Sequence, residues 1–290
     1  MNAPKIIAEI GYNHTGDMDI ARKMIYTAAM YCNVDGVKFQ KRNVKELLSE
    51  SEYNAPHPEP YNSYGKTYGE HREFLEFDLE QHRQLQAWCK EYGLEYSTSV
   101  WDMTSAREIC TLQPTMIKVP SACNLNKELL NYLCDNFEGE IHLSLGMTTK
   151  EEEVRIVQFF ESKKRNKDLV LYSCTSGYPV QFDDVCLLEL VRLRKEYASR
   201  VKAIGFSGHH LGIAVDSAAV ALGAELIERH FTLDRTWKGT DHAASLEPDG
   251  LRKLARDCRA VAKSLSYKQK DILDIESIQR NKLKKNQIKW

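Results

Sequence analysis

Short apolar runs alternate with amphipathic stretches eight times along the chain. The runs Lys5–Ile10, Gly36–Gln40, Glu95–Ser99, Met116–Pro120, Ile141–Leu145, Leu169–Ser173, Ala203–Phe206 and Glu225–Phe231 predict strands. Helical periodicity predicts helices at about 18–32, 79–92, 102–112, 126–136, 149–163, 183–198, 212–223 and 248–265. Several of these carry start signals: Asp102 precedes MTSAREI, Thr149 precedes KEEEVRIV, and Pro248-Asp249 opens the last. Strict strand–helix alternation predicts a parallel sheet, and eight units suit a closed (β/α)₈ TIM barrel better than an open sheet. No GxGxxG follows the first strand, which counts against a dinucleotide-binding fold. The expected organisation is one barrel domain over residues 1–265 and a tail over 266–290, with Arg280–Lys285 read as a solvated helix end. The connection from Lys41 to Asp78 is unusually long and rich in Pro, Tyr and Gly around Pro56–Gly65. It follows a strand, so it is expected to form a lid over the face where strands end.

Composition narrows the function classes. With 290 residues and a formal charge of −1, nothing suggests a nucleic-acid or membrane partner. The opening MNAPKIIAEIG has no apolar run long enough for a leader or span, so a cytoplasmic location is expected. Eight cysteines form no CxxC, and most fall in apolar-periodic segments; they read as free thiols in a reducing compartment.

In a barrel of this kind the chemistry sits at the strand C-termini. Those positions hold Glu9, Lys38, Gln40, Thr98, Ser99, Lys118, Ser121, Ser144, Gly146, Thr175, Ser176, Tyr178, Ser207, His209 and His230. Lys38 and Lys118 stand inside apolar strands, where each ammonium needs an anion: a carboxylate of the protein or a ligand. Two lysines and a ring of hydroxyls at one edge suit a bound phosphate. His209 and His230 end adjacent strands and are candidate ligands of a divalent metal, with Glu9, Glu228 or Asp241 able to complete the set. His210 and His242 read as supporting or substrate-contacting positions. His57, His71, His82 and His142 read as structural or solvated.

These residues carry a family resemblance. The segments IIAEIGYNHTGD (6–17), GVKFQ (36–40), TYGEHREFLEF (67–77), STS (97–99), IKVPSA (117–122), LSLGM (143–147), CTSGYP (174–179), GFSGHHLGI (205–213) and IERHFTLDRTWKGTDHAASLEP (227–248) resemble the sialic acid synthase family in order and spacing. That resemblance implies a transferase that condenses phosphoenolpyruvate with an aldose, such as N-acetylmannosamine or a related mannose-type or diacetamido sugar. The products would be a 2-keto-3-deoxy nonulosonic acid and phosphate. It implies that Glu9, His209 and His230 are catalytic, the two histidines holding a metal: Mn²⁺ by expectation, with Mg²⁺ or Co²⁺ also suited. It implies that Lys38, Thr98, Lys118, Ser121, Ser144, Ser176 and Ser207 bind phosphoenolpyruvate and that Gln40, Tyr178 and Asp241 contact the sugar.

The chain departs from the family pattern in three places. It is expected to be without the small antifreeze-like domain common in the family, since Trp290 follows the last barrel helix closely; Cys123 stands where an acidic residue is usual; and Ser207-Gly208-His209 replaces Ser-Asp-His. The other readings of the same scaffold are a metal-dependent aldolase or sugar isomerase, and a non-catalytic sugar-binding descendant. A homodimer is the expected assembly.

Overall fold

The computed structural model describes residues 3–285. Its strands are β1 (Lys5–Gly11), β2 (Gly36–Lys41), β3 (Glu95–Val100), β4 (Met116–Val119), β5 (Glu140–Ser144), β6 (Leu169–Cys174), β7 (Ala203–Gly208) and β8 (Leu226–His230). All pair in parallel and in chain order, and β1 closes against β8 to make a barrel. The closing register sets Glu9 opposite His230, while β1 and β2 set Glu9 opposite Lys38. Buried on both faces, the strands lack the apolar–polar alternation of a half-exposed sheet; β2 buries every residue except Gln40.

The helices are α1 (Met18–Met30), α2 (Val44–Leu47), α3 (Glu50–Asn54), α4 (Tyr68–Leu75), α5 (Leu79–Glu91), α6 (Met103–Thr111), α7 (Lys127–Asn136), α8 (Lys150–Ser162), α9 (Glu189–Tyr197), α10 (Ala214–Ala221), α11 (Pro248–Ser264) and α12 (Asp274–Leu283). Local chemistry starts several of them. Asp78 with Gln81 and Thr149 with Glu152 form reciprocal capping boxes at α5 and α8. Helix α11 buries Leu251, Leu254, Ala255, Cys258 and Ala262 against the barrel, a one-sided apolar stripe.

Two segments differ from expectation. The lid segment 41–78 is folded, carrying α2, α3 and α4 with Asn43, Ser49 and Thr67 as N-caps. The helix expected from 183 begins only at Glu189, because Cys186 takes a positive φ of 48° that no α-helix accommodates. The tail contains α12, which buries no side chain. All eight cysteines are free; most are buried, Cys174 is partly so and Cys186 is exposed.

Candidate active site at the C-terminal mouth of the barrel

Side chains alternate along each strand, so the inward set is fixed once the barrel closes. On β2, Lys38 and Gln40 face the barrel mouth; on β8, Glu228 and His230 do. Arg229, between the latter two, points to the helix layer instead and pairs with Asp216 and the carbonyl of His210. The inward residues line a cavity of about 310 Å³ that also takes Glu9, Ser99, Lys118, Ser121, Ser144, Ser176, Ser207 and His209.

The floor of this cavity is charged. Lys118 Nζ lies 3.1 Å from Glu228 Oε2 and 3.4 Å from the centre of the Tyr172 ring. Lys38 pairs with Glu9, lies 3.8 Å from the other oxygen of Glu228, and donates to Ser99 Oγ at 2.9 Å. Burial pushes the Glu9 carboxyl up despite Lys38 beside it. Burial would raise Glu228 too, but Lys118 and Lys38 together hold it well below the usual carboxylate range. Burial lowers Lys118, and Glu228 offsets this only in part. For Lys38 the two carboxylates outweigh burial and raise it. Both ammonium groups therefore have counter-charges before any ligand arrives.

Above the floor, hydroxyls close on Gly146. Its N–H donates to Ser121 Oγ at 3.1 Å. A Cβ there would collide with Ser176 Oγ and stand 2.7 Å from Ser121 Oγ. Met147 follows with a φ of 57° and also lines the cavity. Ser121, Ser144 and Ser176 form a cradle of donors over two lysines, an arrangement suited to a phosphate or carboxylate.

The two imidazoles stand at the rim, ring centres 5.5 Å apart, with the Tyr178 ring 4.3 Å from His209 and 5.8 Å from His230. His209 Nδ1 lies 3.0 Å from the carbonyl of Thr175, so Nδ1 carries the proton and Nε2 presents a lone pair. Burial pushes the His209 imidazole down to about 3, keeping the ring neutral as a metal ligand must be. His230 Nδ1 is buried without a hydrogen-bond partner. A neutral, oriented imidazole beside an orphaned ring nitrogen fits a divalent cation. Among the described residues no group of three His, Cys, Asp or Glu is assembled, so such an ion would take its remaining ligands from water or substrate.

A second cavity of about 220 Å³ opens outward and shares Gln40, Trp101, Tyr178 and His230 with the first. Its inner end is organised by Gly11, whose φ is 55°. A Cβ at Gly11 would lie 3.2 Å from Glu9 Oε1, 3.3 Å from Gln40 Nε2 and 3.5 Å from Asp241 Oδ2, so three polar groups converge where a side chain would stand. Its outer wall comes from the folded lid and the loop after β8, including Tyr64, His71, Arg72 and Lys238.

A family model described as NeuB family matches residues 24–270. The N-acetylneuraminate-9-phosphate synthase of Homo sapiens is 38% identical over 283 residues, spanning 98% of this chain and 77% of that protein. The chain belongs to the NeuB family. The N,N'-diacetyllegionaminic acid synthase of Campylobacter jejuni is 33% identical over 91% of this chain and 78% of its own length. The N-acetylneuraminic acid (sialic acid) synthetase of Leptospira borgpetersenii, solved in complex with citrate, shares the fold at a TM-score of 0.81 with 28% identity, covering 98% of this chain and 94% of that one. The resemblance to sialic acid synthases and the TIM barrel read from the sequence are both borne out.

Within this NeuB-family barrel, most of the expected site residues meet. Glu9, Lys38, Lys118, Ser121, Ser144, Ser176, Ser207 and His209 line the inner cavity; Gln40, Tyr178 and His230 line both; Asp241 lines the outer. Thr98 is the exception. It is fully buried, does not line either cavity, and its hydroxyl has no partner. Alternation along β3 sends Thr98 outward, and the neighbouring Ser99 supplies the inward hydroxyl. Glu228 serves as counter-ion to both lysines. His210 is fully buried and lies 3.2 Å from Asp216, away from the cavities.

His57 and His71, expected to be structural or solvated, line the outer cavity, and so does His242. His82 and His142 are structural, bonded to Tyr96 and Tyr172. Sequence reasoning missed Trp101, Cys174, Arg42 and Arg72, which line these cavities; Cys174 and Arg72 fall inside segments that carry the family resemblance, but nothing in their residue type singled them out. Among the described residues no helix is long and apolar enough to cross a membrane.

Proposed function

We propose that this chain condenses phosphoenolpyruvate with an aldose, giving a nonulosonic acid and phosphate, with phosphoenolpyruvate in the inner cavity and the sugar in the outer. The observation that carries the reading is the joining of two unlike cavities at one pair of imidazoles. One is a cradle of lysines and hydroxyls of about 310 Å³; the other is an aromatic and polar chamber of about 220 Å³; His230 belongs to both.

His209 and His230 would hold a divalent metal, Mn²⁺ by preference, which when bound supplies Lewis-acid polarisation of the sugar aldehyde. Lys38, Lys118, Ser121, Ser144, Ser176 and Ser207 fix phosphoenolpyruvate with its methylene carbon toward the rim, so the two substrates meet in a near-attack geometry. Carbon 3 of phosphoenolpyruvate bonds to the aldehyde carbon, and the aldehyde oxygen takes a proton. Water adds to carbon 2, and Glu9, paired with Lys38, accepts the proton that this water sheds. The hemiketal phosphate then breaks its carbon–oxygen bond and releases phosphate, leaving the keto group. The ammonium groups lie beside the charge that develops on the phosphate, where fixed charges in a dry site are most effective.

His230→Ala tests the assignment. The variant is expected to keep the far-ultraviolet circular dichroism of the barrel while losing at least about half of its bound metal and nearly all turnover. Metal-replete, active protein would remove His230 from the site.

A further inference from the structure

The two imidazoles stand where the strand ladder between them gives out. Strands β7 and β8 pair from Gly205 with Leu226 to Gly208 with Arg229. His209 and His230 come next on each strand, and among the described residues no ladder pair joins them. His230 is tied on its other side: it lies opposite Glu9 on β1, and its carbonyl accepts from the N–H of Leu246 at 2.8 Å. The rings differ in their own support. The Thr175 carbonyl fixes His209 Nδ1, whereas no hydrogen bond to Nδ1 fixes the ring of His230. The spacing of the two rings therefore depends on how the ends of β7 and β8 are held together.

Arg229 makes that connection on the helix side of the sheet. Its Nη2 donates to the carbonyl of His210 at 2.6 Å, and its Nη1 donates to that of Gly212 at 3.0 Å. Nη1 also pairs with Asp216, in the first turn of α10, and lies 3.0 Å from His210 Nε2. His210 Nε2 lies 3.2 Å from the same Asp216 oxygen. One guanidinium thus ties β8, the turn after β7 and the start of α10 together, one residue from each imidazole.

Stability does not account for this brace. Arg229 is 1% exposed and Asp216 is 0% exposed. The desolvation of a buried ion pair offsets its attraction, and well-packed apolar side chains fill such a space at least as well. The brace is also incompletely satisfied: Arg229 Nε, Asp216 Oδ1 and His210 Nδ1 have no hydrogen-bond partner among the described residues. Nor do these three residues line the inner or the outer cavity. What an apolar pair could not do is hold two carbonyls at once, which a planar guanidinium does by its fixed fork of donors.

We infer that Arg229 and Asp216 are positioning residues for metal binding: the guanidinium, held by Asp216 and spread over the carbonyls of His210 and Gly212, sets the spacing of His209 and His230. The inference rests on the reading of those two histidines as ligands of a divalent cation.

The test is the Mn²⁺ dissociation constant, measured by calorimetry on metal-free protein and set beside the Michaelis constant for phosphoenolpyruvate. Arg229→Met combined with Asp216→Leu removes both charges together and leaves neither uncompensated. This double variant is expected to stay folded by circular dichroism and to bind Mn²⁺ at least about tenfold more weakly. Its Michaelis constant for phosphoenolpyruvate, at saturating Mn²⁺, should be unchanged, because Lys38 and Lys118 are untouched. Arg229→Lys keeps the charge but not the fork; it should also stay folded and still lose about tenfold in Mn²⁺ affinity. Unchanged Mn²⁺ affinity in either folded variant would overturn the inference. So would an equal weakening of Mn²⁺ and phosphoenolpyruvate, which means general loosening, or failure of both variants to fold, which makes the brace a stability element. If the unaltered protein itself bound no Mn²⁺, the metal site would fall and the brace's role with it; equal binding by all three proteins would remove the brace alone.

Discussion

Lys118 and Glu228 show how the inner site is held together and what each charge is for. Removing one partner of a buried pair leaves the other charge uncompensated, a loss of about 3–5 kcal/mol. Lys118→Met should therefore lower the melting temperature and raise the Michaelis constant for phosphoenolpyruvate at least about tenfold. Adding Glu228→Gln should recover much of the stability and none of the affinity. If the double variant bound phosphoenolpyruvate normally, Lys118 would be structural only. Gly146 makes a separate case. Gly146→Ala puts a methyl group into the space of the Ser176 hydroxyl. It should weaken phosphoenolpyruvate binding by about 1–3 kcal/mol, read by calorimetry, while the fold is kept. The two lysines were legible in the sequence because an ammonium in an apolar strand has few explanations. Thr98 and Ser99 were not separable, since two adjacent hydroxyls differ only in which face of β3 they take.

At the scale of elements, the segment between β2 and α5 was visible by its length but not by its shape. Its helices are too short to show periodicity; they are specified by the caps Asn43, Ser49 and Thr67 and by contacts with the loop after β8. The Tyr64 hydroxyl donates to the carbonyl of Lys238, and Gly239 N–H donates to Asn62 at 3.2 Å, contacts that no local pattern announces. Helix α4 is followed by Glu76, which joins it to Tyr12 and Arg42. Burial pushes the Glu76 carboxyl up to about 7 from an ordinary 4.5, against the pull of Arg42. A carboxyl raised on folding contributes its stability fully below pH 4.5, and that contribution is lost as pH climbs through 7. Relative to Glu76→Gln, the unaltered protein should lose up to about 3 kcal/mol between pH 5 and pH 8, measured by urea unfolding at several pH values. Parallel stability profiles would show that Glu76 ionises normally.

At the scale of the whole molecule, closure of the barrel creates the site. Glu9 and His230 are separated by most of the chain, yet they are direct partners across the β1–β8 seam, and Glu9 faces Lys38 on its other side. Eight repeated units announced that closure in advance, which is why the strand-end residues could be named before their distances were known. The outer chamber was not legible in the same way. Arg42 follows β2, Arg72 lies on α4 and Lys238 in the loop after β8, and only the packed lid brings them to one wall.

The most direct test of the central claim is phosphate release from phosphoenolpyruvate with Mn²⁺ present, across N-acetylmannosamine, mannose, their 6-phosphates and a diacetamido-trideoxyhexose, with no-sugar and EDTA controls. The condensation predicts release that requires one of these sugars, stops with EDTA, and matches the formation of a keto acid mole for mole. Release that proceeds equally without a sugar, or a keto acid formed without phosphate, would contradict it.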